Sequence, residues 1–116
     1  MDTFKNLNTF EKRKSECDRI LKKHPERLPV IVCKDCKESF LPDIDKQKYL
    51  VPKELTLGQF VYIIRKRIEL DPNHALFVMI NNSLQPTNRV LEDIYTDNKD
   101  TDGYLYIVYS SENTFG

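Results

Sequence analysis

Apolar residues recur along the chain with two different periods, which predicts both helices and strands. Between residues 56 and 68 they fall every three or four positions, the spacing of one helix face, at Leu57, Phe60, Val61, Ile64 and Ile68. Thr56 precedes this run, and threonine is a favoured residue at the start of a helix. A second, mostly charged helix is predicted over 8–23, with Thr9 as its capping residue.

Four shorter runs are rich in β-branched and aromatic residues and lie between turn residues, which predicts strands. They cover residues 28–33, 47–51, 75–80 and 104–109. Pro52 ends the second run, and because proline cannot donate to a sheet ladder, we predict that this strand lies at an edge. A turn at 81–83 and a short helical turn at 90–95 complete the pattern.

The resulting order is helix, strand, strand, helix, strand, short helix, strand. It predicts an α+β fold of the ubiquitin-like β-grasp type, with a four-stranded mixed sheet packed on a central helix and an N-terminal helical extension. We expect three parts: the helical extension at 1–24, the β-grasp domain at 25–110 and a flexible C-terminal tail at 111–116.

The composition is typical of one soluble domain. The chain has 116 residues, of which 40% are hydrophobic, and a single core suits this size. No apolar run approaches the roughly 20 residues that cross a bilayer, and the N-terminal residues lack the apolar segment of a secretory signal. Lysine plus arginine and aspartate plus glutamate both total 18, which argues against a nucleic-acid binder held by bulk charge. We therefore expect a soluble intracellular protein that binds no nucleic acid.

The sequence carries no pattern of a catalytic, metal or cofactor site. Three glycines are too few for a glycine-rich phosphate cradle, and the spacing of a serine nucleophile or a metalloprotease motif does not occur. Three cysteines form an odd set that suits a reducing compartment. Cys33 and Cys36 have CxxC spacing, but the two isolated histidines do not supply the further ligands that zinc needs. We expect no enzymatic activity, no metal and no cofactor.

The C-terminal segment is unusual in its last residue. Residues 111–116 follow the final predicted strand without an apolar anchor and end in Gly116. Taken alone, this pattern is typical of a frayed terminus. After a β-grasp domain, a glycine carboxylate without a side chain instead fits the narrow channel of an enzyme that acts on it.

A series of motifs gives the sequence a close resemblance to one family. The motifs are Phe10-Glu11-Lys12-Arg13, residues 24–32 (HPERLPVIV), 45–52 (DKQKYLVP), 57–60 (LGQF), 64–68 (IRKRI), 75–78 (ALFV), 81–82 (NN), 105–110 (LYIVYS) and the final Phe115-Gly116. Ordered matches over about nine-tenths of the chain are very specific. The sequence resembles the ubiquitin-like modifiers of autophagy, the autophagy-related protein eight family that includes GABARAP and its relatives.

This resemblance implies a protein that is handled by enzymes and is not one itself. An activating enzyme and a conjugating enzyme would link Gly116 to phosphatidylethanolamine on the autophagosomal membrane, and a cysteine protease would process the C-terminus or release the lipid. The protein would be cytoplasmic before this reaction and would lie on autophagosomal or related vesicle membranes after it. The sequence leaves open whether the gene itself ends at Gly116.

The resemblance also implies binding of short peptides with an aromatic residue, two spacers and a branched aliphatic residue, in receptors that deliver cargo. An edge strand at 46–52 can accept such a peptide by main-chain hydrogen bonds. The aromatic pocket would be lined by Glu16, Ile20, Pro29, Ile31, Lys48, Leu50 and Tyr104. The aliphatic pocket would be lined by Tyr49, Val51, Pro52, Leu55, Phe60 and Ile63. Acidic flanks of the peptide would meet Arg27, Lys46 and Arg67.

Plainer interpretations apply to several of these residues. Four apolar members of the pockets are equally typical of core positions: Ile31, Leu55, Phe60 and Ile63. Lys46 and Lys48 are typical of charges that protect an open sheet edge from aggregation. The sequence departs from the familiar pattern at Gln47, at Gly103 and through an apparent one-residue insertion within 34–42. Two other functions stay open: conjugation to proteins, and an unconjugated peptide-binding adaptor in trafficking or in an organelle.

Overall fold

The computed structural model describes residues 2–111, with side chains from residue 4 onward. Four helices lie within this range: α1 (Asp2–Leu7), α2 (Phe10–Lys23), α3 (Leu57–Arg67) and α4 (Leu91–Asn98). Five strands lie between and after them: β1 (Arg27–Lys34), β2 (Lys48–Pro52), β3 (Phe77–Ile80), β4 (Ser83–Leu84) and β5 (Leu105–Ser110).

The strands form one sheet in the order β2-β1-β5-β3-β4. β1 and β5 pair in parallel at its centre, and the other neighbours pair antiparallel. Parallel neighbours need a long connection between them, and the chain between β1 and β5 includes α3, which packs on one face of the sheet. The predicted α+β fold of the β-grasp type, with helices before the first strand, is confirmed.

The sheet has one strand more than the predicted four, because the turn at residues 81–83 is tighter than its sequence indicates. Asn81 and Asn82 both have positive φ, at 52° and 60°. Two such residues form the hairpin turn that matches the twist of antiparallel strands. Ser83 therefore pairs with Ile80 and begins β4, instead of belonging to the turn.

α3 begins where its sequence predicts. The Thr56 hydroxyl accepts from the main-chain N–H of Gln59 at 3.2 Å, and the Gln59 side chain accepts from the N–H of Thr56 at 2.9 Å. This reciprocal capping box satisfies two N–H groups that a helix start otherwise leaves open. Phe60 and Ile64 then face the sheet and are buried.

Other boundaries differ from the sequence-based prediction. β3 begins at Phe77 and not at residue 75, and α4 continues to Asn98, beyond the predicted helical turn. α4 is longer because Leu91, Ile94 and Tyr95 bury one side of it against the core. Residues 2–7 form α1, which the sequence pattern does not predict.

Alternation along β1 separates two apolar layers. Val30 and Val32 belong to the large cluster that contains Phe60 and Ile64 of α3. Ile31, between them, contributes to a smaller cluster on the opposite face, since successive side chains of a strand point to opposite faces. The smaller cluster consists of Cys17, Ile31, Tyr104 and Tyr106, with Phe4 packed against it. α1 and α2 thus cover one face of the sheet, and α3 covers the other.

A buried carboxylate holds α2 on its face of the sheet. Asp102 is fully buried and accepts hydrogen bonds from Arg13 Nη1 at 2.5 Å, from the Tyr106 hydroxyl at 2.5 Å and from the Tyr104 main-chain N–H at 2.8 Å. Burial, together with the hydrogen bond to Asp102, raises the pKa of Tyr106. A buried charge is tolerated only with such partners, so the Arg13 contact ties α2 to the turn before β5.

Gly103 allows α2 to approach this turn closely. Its φ is +97°, a conformation that side-chain-bearing residues rarely adopt. A Cβ atom at this position would lie 2.8 Å from Cys17 Cβ in α2. The glycine is therefore required both by the turn and by the neighbouring helix.

We predict that Gly103→Ala lowers the free energy of unfolding by about 2–4 kcal/mol, from the unfavourable φ and from overpacking against Cys17. Urea denaturation at an unchanged m-value measures the loss. The matched control is Thr101→Ala, an exposed position in the same turn, which should change stability by less than about 0.5 kcal/mol. Equal stability of the two variants would contradict the predicted clash between a Cβ atom at position 103 and Cys17 of α2.

Candidate functional site

The edge strand β2 places the predicted pocket residues on two faces of the sheet. Within residues 2–111, no strand pairs with its outer edge. Tyr49 and Val51 are buried and belong to the cluster beneath α3. Lys48 and Leu50 have the opposite phase and lie on the side of α1 and α2. The strand therefore divides the two predicted pockets from each other.

The aromatic pocket predicted from the sequence has a buried floor and a charged rim. Ile31 and Tyr104 are fully buried and form part of the floor. Glu16, on α2, accepts from Lys48 Nζ at 2.6 Å and from the Tyr104 hydroxyl. Burial opposes ionisation of Glu16, but the hydrogen bonds from Lys48 and Tyr104 outweigh it and lower its pKa. The rim thus joins α2 to β2 through an ionised carboxylate.

The remaining members of this set lie around the same floor. Pro29 is buried in β1 opposite Leu50, its partner in the antiparallel register. Ile20 on α2 and Leu50 are half-buried. The structure therefore places α2 and β2 on either side of Ile31 and Tyr104, at the edge of the sheet.

Phe4 in α1 is a neighbour of this pocket that sequence reasoning missed. Its ring packs edge-on against Tyr104, with centroids 5.4 Å apart, and Lys48 Nζ lies 5.8 Å from its centroid. Lys5 beside it pairs with Asp100 at 3.0 Å. A single aromatic residue near the N-terminus gives no periodic signal, so only the folded chain shows that Phe4 borders the pocket.

The aliphatic set is divided between core and surface. Tyr49, Val51 and Phe60 are buried, and the rings of Tyr49 and Phe60 meet edge to face at 5.6 Å. Leu55 is half-buried and Ile63 is 37% exposed. Leu55 and Ile63 are therefore the accessible apolar members, above a floor that the other side chains make.

Pro52 does not share the strand phase of the other aliphatic-pocket residues on β2. It lies two residues after Leu50 and has the alternation phase of Leu50 and Lys48. At the last position of the strand, it borders the turn toward α3. Pro52 therefore lies at the end of the strand, and its side chain is not on the face of the sheet that Tyr49 and Val51 share.

The three basic residues assigned to acidic flanks have different environments. Arg27 Nη1 donates to the Leu50 carbonyl at 3.0 Å. Lys46 Nζ lies 5.1 Å from the centre of the Tyr49 ring. Arg67 forms two hydrogen bonds with Asp45, each 3.2 Å long. Arg67 and Arg27 thus both have a carboxylate partner, Asp45 at 3.2 Å and Glu26 at 3.9 Å. Arg27 and Lys46 lie beside the open edge.

Main-chain groups of β2 point outward at alternate residues. Val32 N donates to the Gln47 carbonyl at 2.8 Å, and Lys53 N donates to the Glu26 carbonyl at 3.3 Å. Since hydrogen-bonded pairs recur every second residue in an antiparallel ladder, the residues 48, 50 and 52 direct their main-chain groups away from β1. The Arg27 contact with the Leu50 carbonyl agrees with this geometry. Lys48 and Leu50 can therefore each offer an N–H and a C=O to an added strand.

Gly116 lies outside the described residues. Among residues 2–111, no group of three histidine, cysteine, aspartate or glutamate side chains is arranged to hold a metal ion. No helix within the same range has the length and apolar character needed to cross a membrane.

Known proteins match this chain over nearly its whole length. Residues 12–116 match the family described as "Autophagy protein Atg8 ubiquitin like". Autophagy-related protein 8e of Arabidopsis thaliana is 57% identical over 113 residues, which cover 97% of this chain and 92% of the relative. Autophagy-related protein 8 of Saccharomyces cerevisiae strain YJM789 is 54% identical over 114 residues, which cover 98% and 97%.

A solved structure has the same fold. The crystal structure of Trypanosoma brucei ATG8 matches with a TM-score of 0.89 and 44% sequence identity, covering 98% of this chain and 97% of that chain. The fold defines a ubiquitin-like protein. The chain belongs to the Atg8 family. The resemblance seen in the sequence is confirmed, and so is the prediction of a ubiquitin-like protein that is not an enzyme.

We predict that Glu16 and Tyr104 are energetically coupled. Glu16→Ala leaves the buried Tyr104 hydroxyl without this acceptor, which is costly, whereas Tyr104→Phe removes the hydroxyl itself. The double variant should therefore be more stable than the sum of the single effects by about 1–2 kcal/mol. Urea denaturation of the wild type, both single variants and the double variant gives this coupling.

Lys48→Ala is the control for the exposed part of the network. Its pair with Glu16 is partly exposed, and such pairs contribute about 0–1 kcal/mol. Additive effects of Glu16→Ala and Tyr104→Phe would contradict the prediction, because they would mean that the hydroxyl and the carboxylate do not interact.

Proposed function

We propose that this protein is a ubiquitin-like modifier that is conjugated through Gly116 to phosphatidylethanolamine on autophagosomal membranes. It acts in the cytoplasm before conjugation and on autophagosomal or related vesicle membranes after it. There it recruits cargo receptors and autophagy factors that carry aromatic-x-x-aliphatic peptide motifs. Its enzymatic partners are the activating, conjugating and cysteine-protease enzymes of the autophagy conjugation system.

Membership of the Atg8 family and the position of Gly116 support the conjugation proposal. Gly116 follows Ser111, the last described residue, by five positions. Five extended residues span at most about 17 Å, which is enough for a glycine carboxylate to enter a narrow active site while the folded domain stays outside. A linked phospholipid brings two acyl chains, and two chains anchor a protein much more firmly than one.

The outward main-chain groups of Lys48 and Leu50 are the single observation that carries the peptide-binding proposal. A peptide added along β2 would exchange main-chain hydrogen bonds with these two residues, as in other complexes formed by strand addition. Such bonds do not depend on the peptide sequence, so they supply a common docking mode. Selection then falls to the pockets on either side.

The two faces of β2 account for the spacing of the motif. Side chains three residues apart in an extended peptide point to opposite faces, because the strand period is two. The aromatic residue would therefore enter beside α2, near Tyr104 and Leu50, while the aliphatic residue enters beside α3, near Leu55 and Ile63. Three residues advance about 10 Å along a strand, so one short motif engages both pockets.

Arg27 links strand addition to the charge of the peptide. Its guanidinium donates to the Leu50 carbonyl, the acceptor that an incoming N–H needs. An acidic residue flanking the motif offers this guanidinium a charged partner, and charge-assisted hydrogen bonds are stronger than neutral ones. Arg67 makes two hydrogen bonds to Asp45 at 3.2 Å, whereas Glu26 lies 3.9 Å from Arg27 Nε. Arg27 and Lys46 therefore serve acidic flanks better than Arg67.

We predict that the purified chain gains the mass of phosphatidylethanolamine when incubated with the activating and conjugating enzymes, ATP and phosphatidylethanolamine vesicles. Gly116→Ala should show no gain, because the added methyl group crowds the carboxylate that reacts. Intact-mass spectrometry measures both results.

A family member known to be lipidated in the same mixture is the control for enzyme activity. No mass gain on the wild type beside a lipidated control would remove the conjugation proposal. Mass gains that correspond to proteins would instead favour conjugation to protein targets.

We predict that Leu50→Ala weakens binding of a Trp-x-x-Leu peptide with acidic flanks by about tenfold, as expected for the loss of one apolar anchor contact. Fluorescence anisotropy of the labelled peptide gives the dissociation constant. Arg27→Ala should reduce the advantage of the acidic peptide over a neutral one, while binding of the neutral peptide changes little.

Leu84→Ala is the matched control for this measurement. Leu84 is a 40% exposed leucine on β4, at the opposite edge of the sheet. Its substitution should leave the affinity unchanged. A loss with Leu84→Ala but not with Leu50→Ala would place the peptide on the wrong edge and overturn the proposal.

A further inference from the structure

Glu38 joins the loop after β1 to the end of β5. Its Oε1 accepts from the Ser111 main-chain N–H at 2.6 Å, from the Ser111 hydroxyl at 2.8 Å and from the Ser110 hydroxyl at 3.3 Å. Its Oε2 accepts from the main-chain N–H groups of Phe40 and Leu41, both at 2.8 Å. One carboxylate thus holds its own loop with one oxygen and the last described residues with the other.

The charge state of Glu38 agrees with this arrangement. Burial opposes its ionisation, but the N–H groups of Ser111 and Leu41 and the Ser111 hydroxyl hold its pKa at about 2. The carboxylate is therefore ionised at neutral pH and strengthens every bond that it accepts.

The loop that carries Glu38 is itself fixed to the core. Leu41 and Ile44 are buried in the large cluster that also contains Phe60 and Ile64 of α3. The Tyr109 hydroxyl donates to the Pro42 carbonyl at 2.7 Å, and Asp35 N donates to the Tyr109 carbonyl at 2.9 Å. The position of Glu38 is thus determined by the fold, and Ser111 is held relative to the whole domain.

We propose that Glu38 is a positioning residue for the reactions at Gly116, because it fixes Ser111, the residue five positions before the glycine. This inference rests on the conjugation proposed above. With Ser111 held by the domain, the glycine is at most five residues, or about 17 Å, from a fixed point. Confinement of a reacting group near its partner raises the rate of the reaction.

The apparent insertion within 34–42 lies in this loop. Glu38 lies within the same range, where the sequence departs from the familiar pattern of the family.

Glu38→Ala tests the proposal because it removes both acceptor oxygens, whereas a glutamine amide can keep its oxygen toward Ser111. Glu54→Ala, at an exposed glutamate in the turn after β2, is the matched control. Both variants are made in the full chain.

The first measurement is hydrogen exchange at the Ser111 amide. Loss of its acceptor in Glu38→Ala should speed exchange by about tenfold or more, as expected for an amide released to solvent by local opening. Glu54→Ala should leave it unchanged. Unaltered exchange in Glu38→Ala would overturn the proposal, whether or not the chain is lipidated.

The second measurement is steady-state transfer to phosphatidylethanolamine vesicles by the activating and conjugating enzymes. For Glu38→Ala, kcat should fall about three- to tenfold while KM and Trp-x-x-Leu peptide affinity stay as in the wild type, because orientation is lost and not docking. Faster exchange at Ser111 with an unchanged or higher kcat would overturn positioning, and so would an equal loss of peptide affinity. A wild type that acquires no lipid beside a lipidated control removes the conjugation proposal and this role together.

Discussion

Asp102 is a carboxylate buried in the turn before β5, with donors on Arg13, Tyr104 and Tyr106 around it. Breaking such a buried pair typically costs about 3–5 kcal/mol, because it leaves a charge without compensation. The position of α2 depends on this contact and on the close approach at Gly103. Since α2 carries Glu16 and Ile20, the wall of the aromatic pocket follows from the same constraint. The proposed peptide site would thus be a consequence of how α2, a helix outside the β-grasp core, packs on that core.

An open sheet edge favours aggregation, because it can pair with the edge of another molecule. The two edges of this sheet differ in how much open strand they offer. β4 is only two residues long, so it offers little template for another strand. β2 has five residues and keeps main-chain groups directed outward. Lys46 and Lys48 place positive charge along it, which disfavours pairing with a second copy of the same edge. Under the proposed function, the charge of Lys46 would also attract the acidic flank of a peptide, so one side chain would both protect the edge and help to select the ligand.

The sequence predicts those parts of the fold that local chemistry determines. The spacing of Phe60 and Ile64 and the Thr56 cap define α3, and the run that ends at Pro52 predicts an edge strand. Contacts between residues distant in sequence leave no such pattern. Phe4 meets Tyr104 across about a hundred residues, and the partners of Glu38 belong to the far end of the chain. Burial is a further limit: Ile31 and Phe60 are buried while Ile63 is partly exposed, although all three are apolar residues in regular elements.

The loop between β1 and β2 lies between the two proposed activities, conjugation at Gly116 and peptide binding at β2, and keeps them independent. Its first part holds Ser111 through Glu38, and its last part leads into the edge that would receive a peptide. Between them, Leu41 and Ile44 are buried in the core. A displacement of the backbone at Glu38 would therefore have to displace these buried residues before it affected Lys48. Interiors that are close-packed shift between discrete arrangements and do not deform smoothly. With the middle of the loop fixed, a change at Glu38 leaves the edge of the sheet in its shape. A modifier already attached to a membrane would then bind peptides with the same site as the soluble protein.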